Sequence, residues 1–126
     1  MTFEIINPDA FGGRPSGWNH GMLAEQGGRI LFVAGQIVPV GDFVAQWDGA
    51  LGRVMEVVRT AGGKAENVGR LVVYVTDRPA YLANLTRLGE VHRRHMGRHY
   101  CAMAVVEVKS LMDSKALVEI EAVAVL

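Results

Sequence analysis

The alternation of apolar and polar residues is clearest in the C-terminal stretch Ala116–Leu126, which predicts a long β-strand. Side chains point alternately to the two faces of a strand. One face carries only apolar residues, at the even positions from Val118 to Leu126. The other face carries Glu119 and Glu121 among apolar residues. We expect this acidic and apolar face to be covered by something other than its own chain, and we look for function there.

Two further apolar runs, Leu71–Val75 and Met103–Val108, predict strands that are buried on both faces. A hairpin is predicted from Met22–Gln26 and Arg29–Ala34, which flank two glycines at 27 and 28. Glycine accepts the positive φ angles that tight turns require. These segments supply the strands of the expected sheet.

Two helices are predicted between the strands. Asp42 is an expected N-cap for a helix over Phe43–Ala61, which Gly62 ends. Asp77 and Pro79 mark the start of a second helix. The apolar stripe of the first helix contains Trp47, Leu51, Val54, Met55 and Val58, and the inner stripe of the second contains Tyr81, Leu85, Leu88 and His92.

The order strand, helix, strand, helix, strand predicts an α+β architecture in which right-handed crossovers place both helices on one side of the sheet. We expect a single mixed β-sheet with two helices packed on one face. The chain has 126 residues, half of them apolar. That length suits one well-filled core and is too short for two ordinary domains, so residues 1–126 are expected to form a single domain.

The sheet face opposite the helices is expected to meet another copy of the chain, because two helices cover only one face of such a sheet. Leaving about 600 Å² of apolar sheet in water would cost on the order of 15 kcal/mol, which is comparable to the whole stability of a domain. We therefore expect a closed cyclic assembly. Glu119 would then lie in or beside a boundary between subunits.

Charge and composition narrow the functional classes. Thirteen basic and thirteen acidic residues cancel, without a block of like charge. Neither a nucleic acid nor a membrane surface is therefore an expected partner. The single cysteine excludes an internal disulfide, and the N-terminus lacks the pattern of a signal peptide. No apolar run is long enough for a membrane span, so we expect a soluble, cytoplasmic protein.

Three local features are candidates for binding. Trp18, beside Asn19 and His20, either covers an edge of the core or contacts a ligand. Gly35 either ends a strand or marks a bulge where a ligand or another backbone approaches. The third feature is a group of histidines at 92, 95 and 99, which would stack only if the helix continued past Gly97.

These histidines are predicted to form a basic helix C-terminus, which the helix dipole favours. Arg93, Arg94 and Arg98 would oppose a bound cation. We therefore predict no metal site here, and no residue pattern calls for a cofactor.

Four segments together resemble the RidA (YjgF/YER057c/UK114) family along nearly the whole chain: Phe32–Ile37, Val73–Asp77, Met103–Val108 and Val118–Ala124. The resemblance implies a chorismate-mutase-like fold and a homotrimer with a central barrel and three clefts between subunits. Members typically hydrolyse reactive enamines and imines, such as 2-aminoacrylate, to the keto acid and ammonia. Some relatives were described as endoribonucleases.

The resemblance also assigns candidate site residues position by position. Trp18 stands at the family's cleft tyrosine, Ala34 at its serine and Gly35 at the glycine that follows. Glu119 stands at the strand glutamate and is the candidate acid/base and water guide. Val105 is expected to shape the pocket beside these residues.

Met103 stands where the family has the arginine that holds a substrate carboxylate. A guanidinium forms a bidentate charged hydrogen bond with a carboxylate, whereas a thioether cannot. A neutral imine, or an anion held by another basic residue such as Arg14 or Arg98, fits this position better. Two hypotheses follow: an imine deaminase-like hydrolase of altered specificity, and a non-catalytic trimeric protein that binds a small metabolite or has a regulatory role.

Overall fold

The computed structural model describes residues 3–126, so Met1 and Thr2 of the predicted domain lie outside the described residues. Within this range the chain forms six strands and three α-helices. The strands are β1 (Phe3–Ile6), β2 (Gly21–Ala24), β3 (Ile30–Gln36), β4 (Val68–Val75), β5 (Ala102–Glu107) and β6 (Val118–Val125). The helices are α1 (Phe43–Thr60), α2 (Arg78–Ala83) and α3 (Leu85–Met96).

The main sheet has four strands in the order β3-β6-β4-β5, so β3 and β5 are its edges. β6 runs antiparallel to both of its neighbours, and β4 runs parallel to β5. This mixed sheet with helices defines the expected α+β class. β1 and β2 form a separate two-stranded sheet, so the described residues form two sheets rather than the single sheet expected.

The predicted hairpin of β2 with β3 is wrong. β2 pairs with β1, placing Met22 opposite Ile5, and β3 pairs with β6, placing Phe32 opposite Val123. The two glycines at 27 and 28 therefore lie in a connection between two sheets. β6 is longer than β2, and one of its faces is wholly apolar. The non-local pairing with β6 therefore decides where β3 lies.

Helix α1 begins and ends almost as the sequence predicts. The Asp42 carboxylate accepts a hydrogen bond of 2.9 Å from the Ala45 amide, which satisfies a free N–H of the first turn. Gly62 follows the helix with a φ of 92°, which a residue with a Cβ rarely adopts. The predicted stripe of α1 is wholly buried, from Trp47 to Val58.

The predicted second helix is divided into α2 and α3 at Asn84. Its start is as predicted, because the Asp77 carboxylate accepts a hydrogen bond of 3.0 Å from the Ala80 amide. The Asn84 side chain donates to the Ala80 carbonyl at 2.7 Å and so competes with the helical backbone. Leu85, predicted to face inward, is 51% exposed at the start of α3.

The core lies between the main sheet and helices α1 and α3. The even positions of β6 from 118 to 124 are buried against it, as the alternation predicts, and so are Leu71 and Val73 of β4. None of the helices in residues 3–126 has both the length and the apolar content to cross a membrane.

The opposite side of the main sheet, which we call the open face, is not covered by the helices. It exposes Phe32 (77%), Ile30 (63%) and Val106 (43%). It also carries both acids of β6, and Glu121 accepts a hydrogen bond from the Tyr74 hydroxyl. A sheet surface rarely leaves apolar side chains of this size exposed to water without a binding partner.

Candidate functional site

A β-bulge in β3 places Gly35 beside Glu119. Val33 pairs with Ala122 and Gln36 pairs with Ile120. Two residues of β3, at 34 and 35, therefore lie opposite the single residue Glu121 of β6. A Cβ added at Gly35 would lie only 2.8 Å from Glu119 Cδ. The bulge and the missing side chain together make the space that the carboxylate occupies. Of the two interpretations of Gly35, a bulge with a close approach is the one observed.

The two acids of β6 differ in their partners. Glu121 accepts a hydrogen bond from the Tyr74 hydroxyl. This hydrogen bond is the main reason that the pKa of Tyr74 is raised above its usual value. The Glu119 carboxylate is half-buried and has no hydrogen bond or ion pair with any residue from 3 to 126. Its oxygens are therefore available to a ligand or to a water molecule.

A second feature, which we call the edge cleft, lies on the helix side of the sheet at the edge strand β5. It has a volume of about 790 Å³ and is formed by the loop 14–18, by α1 and α3, and by the start of β5. Trp18, Trp47 and Met103 provide apolar walls, and Arg14 and Arg93 provide guanidinium groups. Clefts of this size accept small organic molecules.

Asn19 fixes the loop that carries Trp18. Asn19 is 4% exposed, and its side chain donates to the Tyr100 carbonyl at 2.5 Å and accepts from the Asn7 side chain at 2.8 Å. Its backbone amide donates to the Cys101 carbonyl at 3.1 Å. Trp18 itself is 37% exposed and lines the edge cleft, so it forms part of a wall that a ligand can contact.

His92 is the partly buried polar group of the edge cleft. Burial is the main reason that its pKa is lowered from 6.5. Its Nε2 lies 2.9 Å from the His99 carbonyl, and its ring stacks on Tyr100 with a centroid distance of 5.1 Å. A carbonyl only accepts, so Nε2 carries the hydrogen and Nδ1 is the acceptor. Burial therefore favours the neutral imidazole, and this hydrogen bond favours its tautomer with the hydrogen on Nε2.

The other two histidines of the group have separate partners. His95 Nε2 lies 2.6 Å from an Asp48 oxygen, and His99 Nε2 lies 2.6 Å from the Val68 carbonyl. The hydrogen bond from His95 is the main reason that the pKa of Asp48 is lowered. Within residues 3–126, no group of three metal-ligating side chains is found.

Within one chain the candidate residues form two groups on opposite faces of the sheet. Ala34, Gly35 and Glu119 belong to the bulge and the open face. Met103 lies beside the buried Leu71 of β4 in parallel register, so it faces the helices. Val105 also packs against the core on that side, and Trp18 is in the edge cleft. A single chain therefore does not bring Glu119 and Met103 together.

Of the two arginines considered as replacements for the family arginine, Arg14 lines the edge cleft, and Arg98 is not among the residues that line it. The sequence interpretation missed Arg93, which comes from α3. Its spacing was the available signal, since Arg93 follows Gly89 by four residues and both occupy the same helix face. Cys101 is buried, and burial raises the pKa of its thiol to about 12, so it is not a reactive nucleophile.

Solved structures share this fold. The conserved Rid family protein YyfB from Yersinia pestis has 30% identity and a TM-score of 0.83, with 100% of both chains covered. Rv2704 from Mycobacterium tuberculosis, of the YjgF/YER057c/UK114 family, has 28% identity and a TM-score of 0.67, with 99% of this chain and 100% of that chain covered. The YjgF gene product of E. coli has 24% identity and a TM-score of 0.65 over 87% and 88% of the two chains, which supports the fold alone.

The similarity to these structures places the chain in the class of proteins that have the α+β fold of the YjgF, RidA and UK114 proteins. A search of curated proteins gave no match. The sequence profile of the Endoribonuclease L-PSP family matches residues 15–126. The chain belongs to that family, and the resemblance found in its sequence is confirmed.

Proposed function

We propose that the protein is a hydrolase that converts a reactive enamine or imine into a carbonyl compound and ammonia. The observation that carries this proposal is the Glu119 carboxylate, which lies over Gly35 on the open face without a partner among residues 3–126. A carboxyl group with free oxygens beside apolar surface is suited to proton transfer and to holding a water molecule. Membership of a family that includes Rid proteins agrees with this chemistry.

The proposed site needs a second copy of the chain. Glu119 and the edge cleft lie on opposite faces of one sheet, and the open face exposes Phe32 and Ile30. We propose a homotrimer in which the open face of one subunit meets the β5 edge of the next. Glu119 of one subunit would then act on a substrate held in the edge cleft of its neighbour.

The proposed reaction needs only one acid/base group. Glu119 first protonates the carbon of an enamine, which gives an iminium ion, or it directly protonates the nitrogen of an imine. The carboxylate then takes a proton from a water molecule as its oxygen bonds to the iminium carbon. Return of that proton to the amino nitrogen makes ammonia the leaving group. As the C–N bond breaks, the carboxylate takes the proton of the new hydroxyl group, which forms the carbonyl and restores the protonated acid. The products are a carbonyl compound and ammonia, so one water is consumed for each imine.

The test uses the matched substitutions Glu119→Gln and Glu121→Gln. Each removes one carboxylate from β6, but among residues 3–126 only Glu121 has a hydrogen-bond partner, the Tyr74 hydroxyl. Purified proteins are mixed with freshly generated imines, both carboxylated and neutral, and ammonia release is followed. We expect Glu119→Gln to abolish the acceleration and Glu121→Gln to retain it. The proposal fails if no imine decays faster than in buffer, or if Glu119→Gln has the rate of the unsubstituted protein.

The second candidate function is a non-catalytic trimer that binds a small metabolite or has a regulatory role. Met103 favours it, because a thioether stands where the resembled family has a substrate-binding arginine. A metabolite that co-purifies with the protein and is not turned over would support this function. Turnover of any imine that depends on Glu119 would exclude it.

We do not propose RNA cleavage, although the family is named Endoribonuclease L-PSP. The formal net charge is zero, and strong RNA binding depends on clustered basic side chains. Incubation with labelled single-stranded and duplex RNA is expected to leave both intact. Cleavage that persists through purification and is lost in Glu119→Gln would contradict this expectation.

A further inference from the structure

The edge cleft carries positive charge that no acidic residue compensates among the described residues that line it. Arg14 and Arg93 line it, and none of its lining residues within the described range is an aspartate or glutamate. The ion pairs found among residues 3–126 join Arg94 and His95 to Asp48, so neither cleft arginine is paired. A cleft with unpaired cations and apolar walls attracts anions.

The geometry of α3 directs Arg93 into the edge cleft. Its Nη1 lies 3.5 Å from the position that a Cβ at Gly89 would occupy, one helical turn earlier. Gly89 also lines the cleft. Because Gly89 has no side chain, the guanidinium group of Arg93 can lie close to the helix backbone at this position. The next residue, Arg94, instead lies 3.2 Å from Asp48. Adjacent arginines of one helix thus differ in whether they are available to a ligand.

The walls of the edge cleft select the kind of anion. The rings of Trp18 and Trp47 and the thioether of Met103 present apolar surface. The volume of about 790 Å³ is far larger than an inorganic ion needs. A ligand with an apolar body and one carboxylate would bury its body against the indoles and place its charge at the guanidinium groups.

We propose that the edge cleft binds a small organic carboxylate with a bulky apolar body, and that Arg93, assisted by Arg14, holds the carboxylate. This inference rests on the proposed function only in placing the substrate in the same cleft. Arg93 is then a specificity-determining residue. It lies on helix α3 and supplies the positive charge that is missing at Met103 of β5. The substrate would then be the imine of such an acid.

Binding can be measured by intrinsic fluorescence, because the chain has two tryptophans and both line the edge cleft. The probes are isocaproate, its neutral amide isocaproamide, and inorganic phosphate. We expect isocaproate to bind at least about tenfold more tightly than the amide or phosphate, since only it offers both a charge and an apolar body. Equal binding of acid and amide, no binding of isocaproate, or tighter binding of phosphate would each overturn the proposal.

The matched variants are Arg93→Gln and Arg94→Gln. Both arginines are exposed on α3, so both variants are expected to fold, which thermal unfolding checks. We expect Arg93→Gln to weaken isocaproate binding about tenfold and to leave isocaproamide binding unchanged, whereas Arg94→Gln changes neither. Equal effects of the two substitutions would rule out a specific role for Arg93.

The two proposals fail in different ways. If isocaproate binds with the expected dependence on Arg93 but no imine is hydrolysed, the anion site stands and the hydrolase is disproved. If an imine is hydrolysed at a rate that depends on Glu119 but not on Arg93 or on a substrate carboxylate, the hydrolase stands and the anion site is disproved.

Discussion

Gly35 and Glu119 occupy one space on the open face. A Cβ at Gly35 would lie 2.8 Å from Glu119 Cδ, a distance that non-bonded carbons do not adopt. The carboxylate therefore has its observed position only because residue 35 lacks a side chain. This relationship connects a backbone feature, the bulge of β3, to the position of the proposed acid/base group.

Gly35→Ala is expected to displace the Glu119 carboxylate and to lower the rate of imine hydrolysis by about tenfold or more, since small misplacements of a reacting group are costly. Stability should fall by less than about 1 kcal/mol, because the group that must shift is the end of a flexible side chain. Thermal unfolding and ammonia release measure the two effects. The double variant with Glu119→Gln should be no slower than Glu119→Gln alone. A further loss would show that Gly35 acts by another route.

Phe32→Glu is expected to disrupt the proposed trimer, because Phe32 is the most exposed large apolar side chain that the described residues place on the open face, at 77%. A charge buried in a subunit boundary carries a desolvation cost that the boundary does not offset. Sedimentation velocity should show smaller species for this variant than for the unsubstituted protein. Leu82→Glu is the matched control, since Leu82 is also exposed, at 48%, but lies on α2. Unchanged assembly in Phe32→Glu would contradict the proposed interface.

Asp42→Ala is expected to lower the free energy of unfolding by about 1 kcal/mol, because it removes the side-chain acceptor at the start of α1. Asp42→Asn keeps an acceptor oxygen and should retain most of the stability. Chemical denaturation of the three proteins measures the difference. If alanine and asparagine were equally destabilising, the carboxylate charge rather than the hydrogen bond would be responsible.

The lowered pKa of His92 makes stability depend on pH. Folding favours the neutral imidazole, mainly through burial, so the pKa of His92 in the folded protein lies below the ordinary value of 6.5 that it has in the unfolded chain. The unfolded state therefore binds the proton more readily, and stability rises with pH. This contribution is present above the unfolded pKa and is lost as pH falls below it.

Thermal unfolding between about pH 8 and about pH 5 tests this dependence. We expect the unfolding temperature to fall on acidification, and to fall less in His92→Asn, which has no group to protonate. His20→Asn, at an exposed position, is the control. An equal dependence on pH in His92→Asn and in the unsubstituted protein would show that His92 does not contribute.

Features that depend on near neighbours in the chain could be predicted from the sequence. The bounds of α1 follow from Asp42 and Gly62, and the buried face of β6 follows from its alternation. The family could be recognised from four short segments, and the profile match confirms it. Helix caps, turns and side-chain alternation are set within a few residues, so sequence patterns record them directly.

Only the tertiary structure decided which distant residues meet. β3 pairs with β6 rather than with β2, and the bulge that this pairing contains places Gly35 under Glu119. Met103 and Glu119 lie on opposite faces of the sheet, and Arg93 enters the edge cleft while Arg94 pairs with Asp48. These outcomes depend on the register of strands and the rotation of helices, which are determined by packing across the whole core.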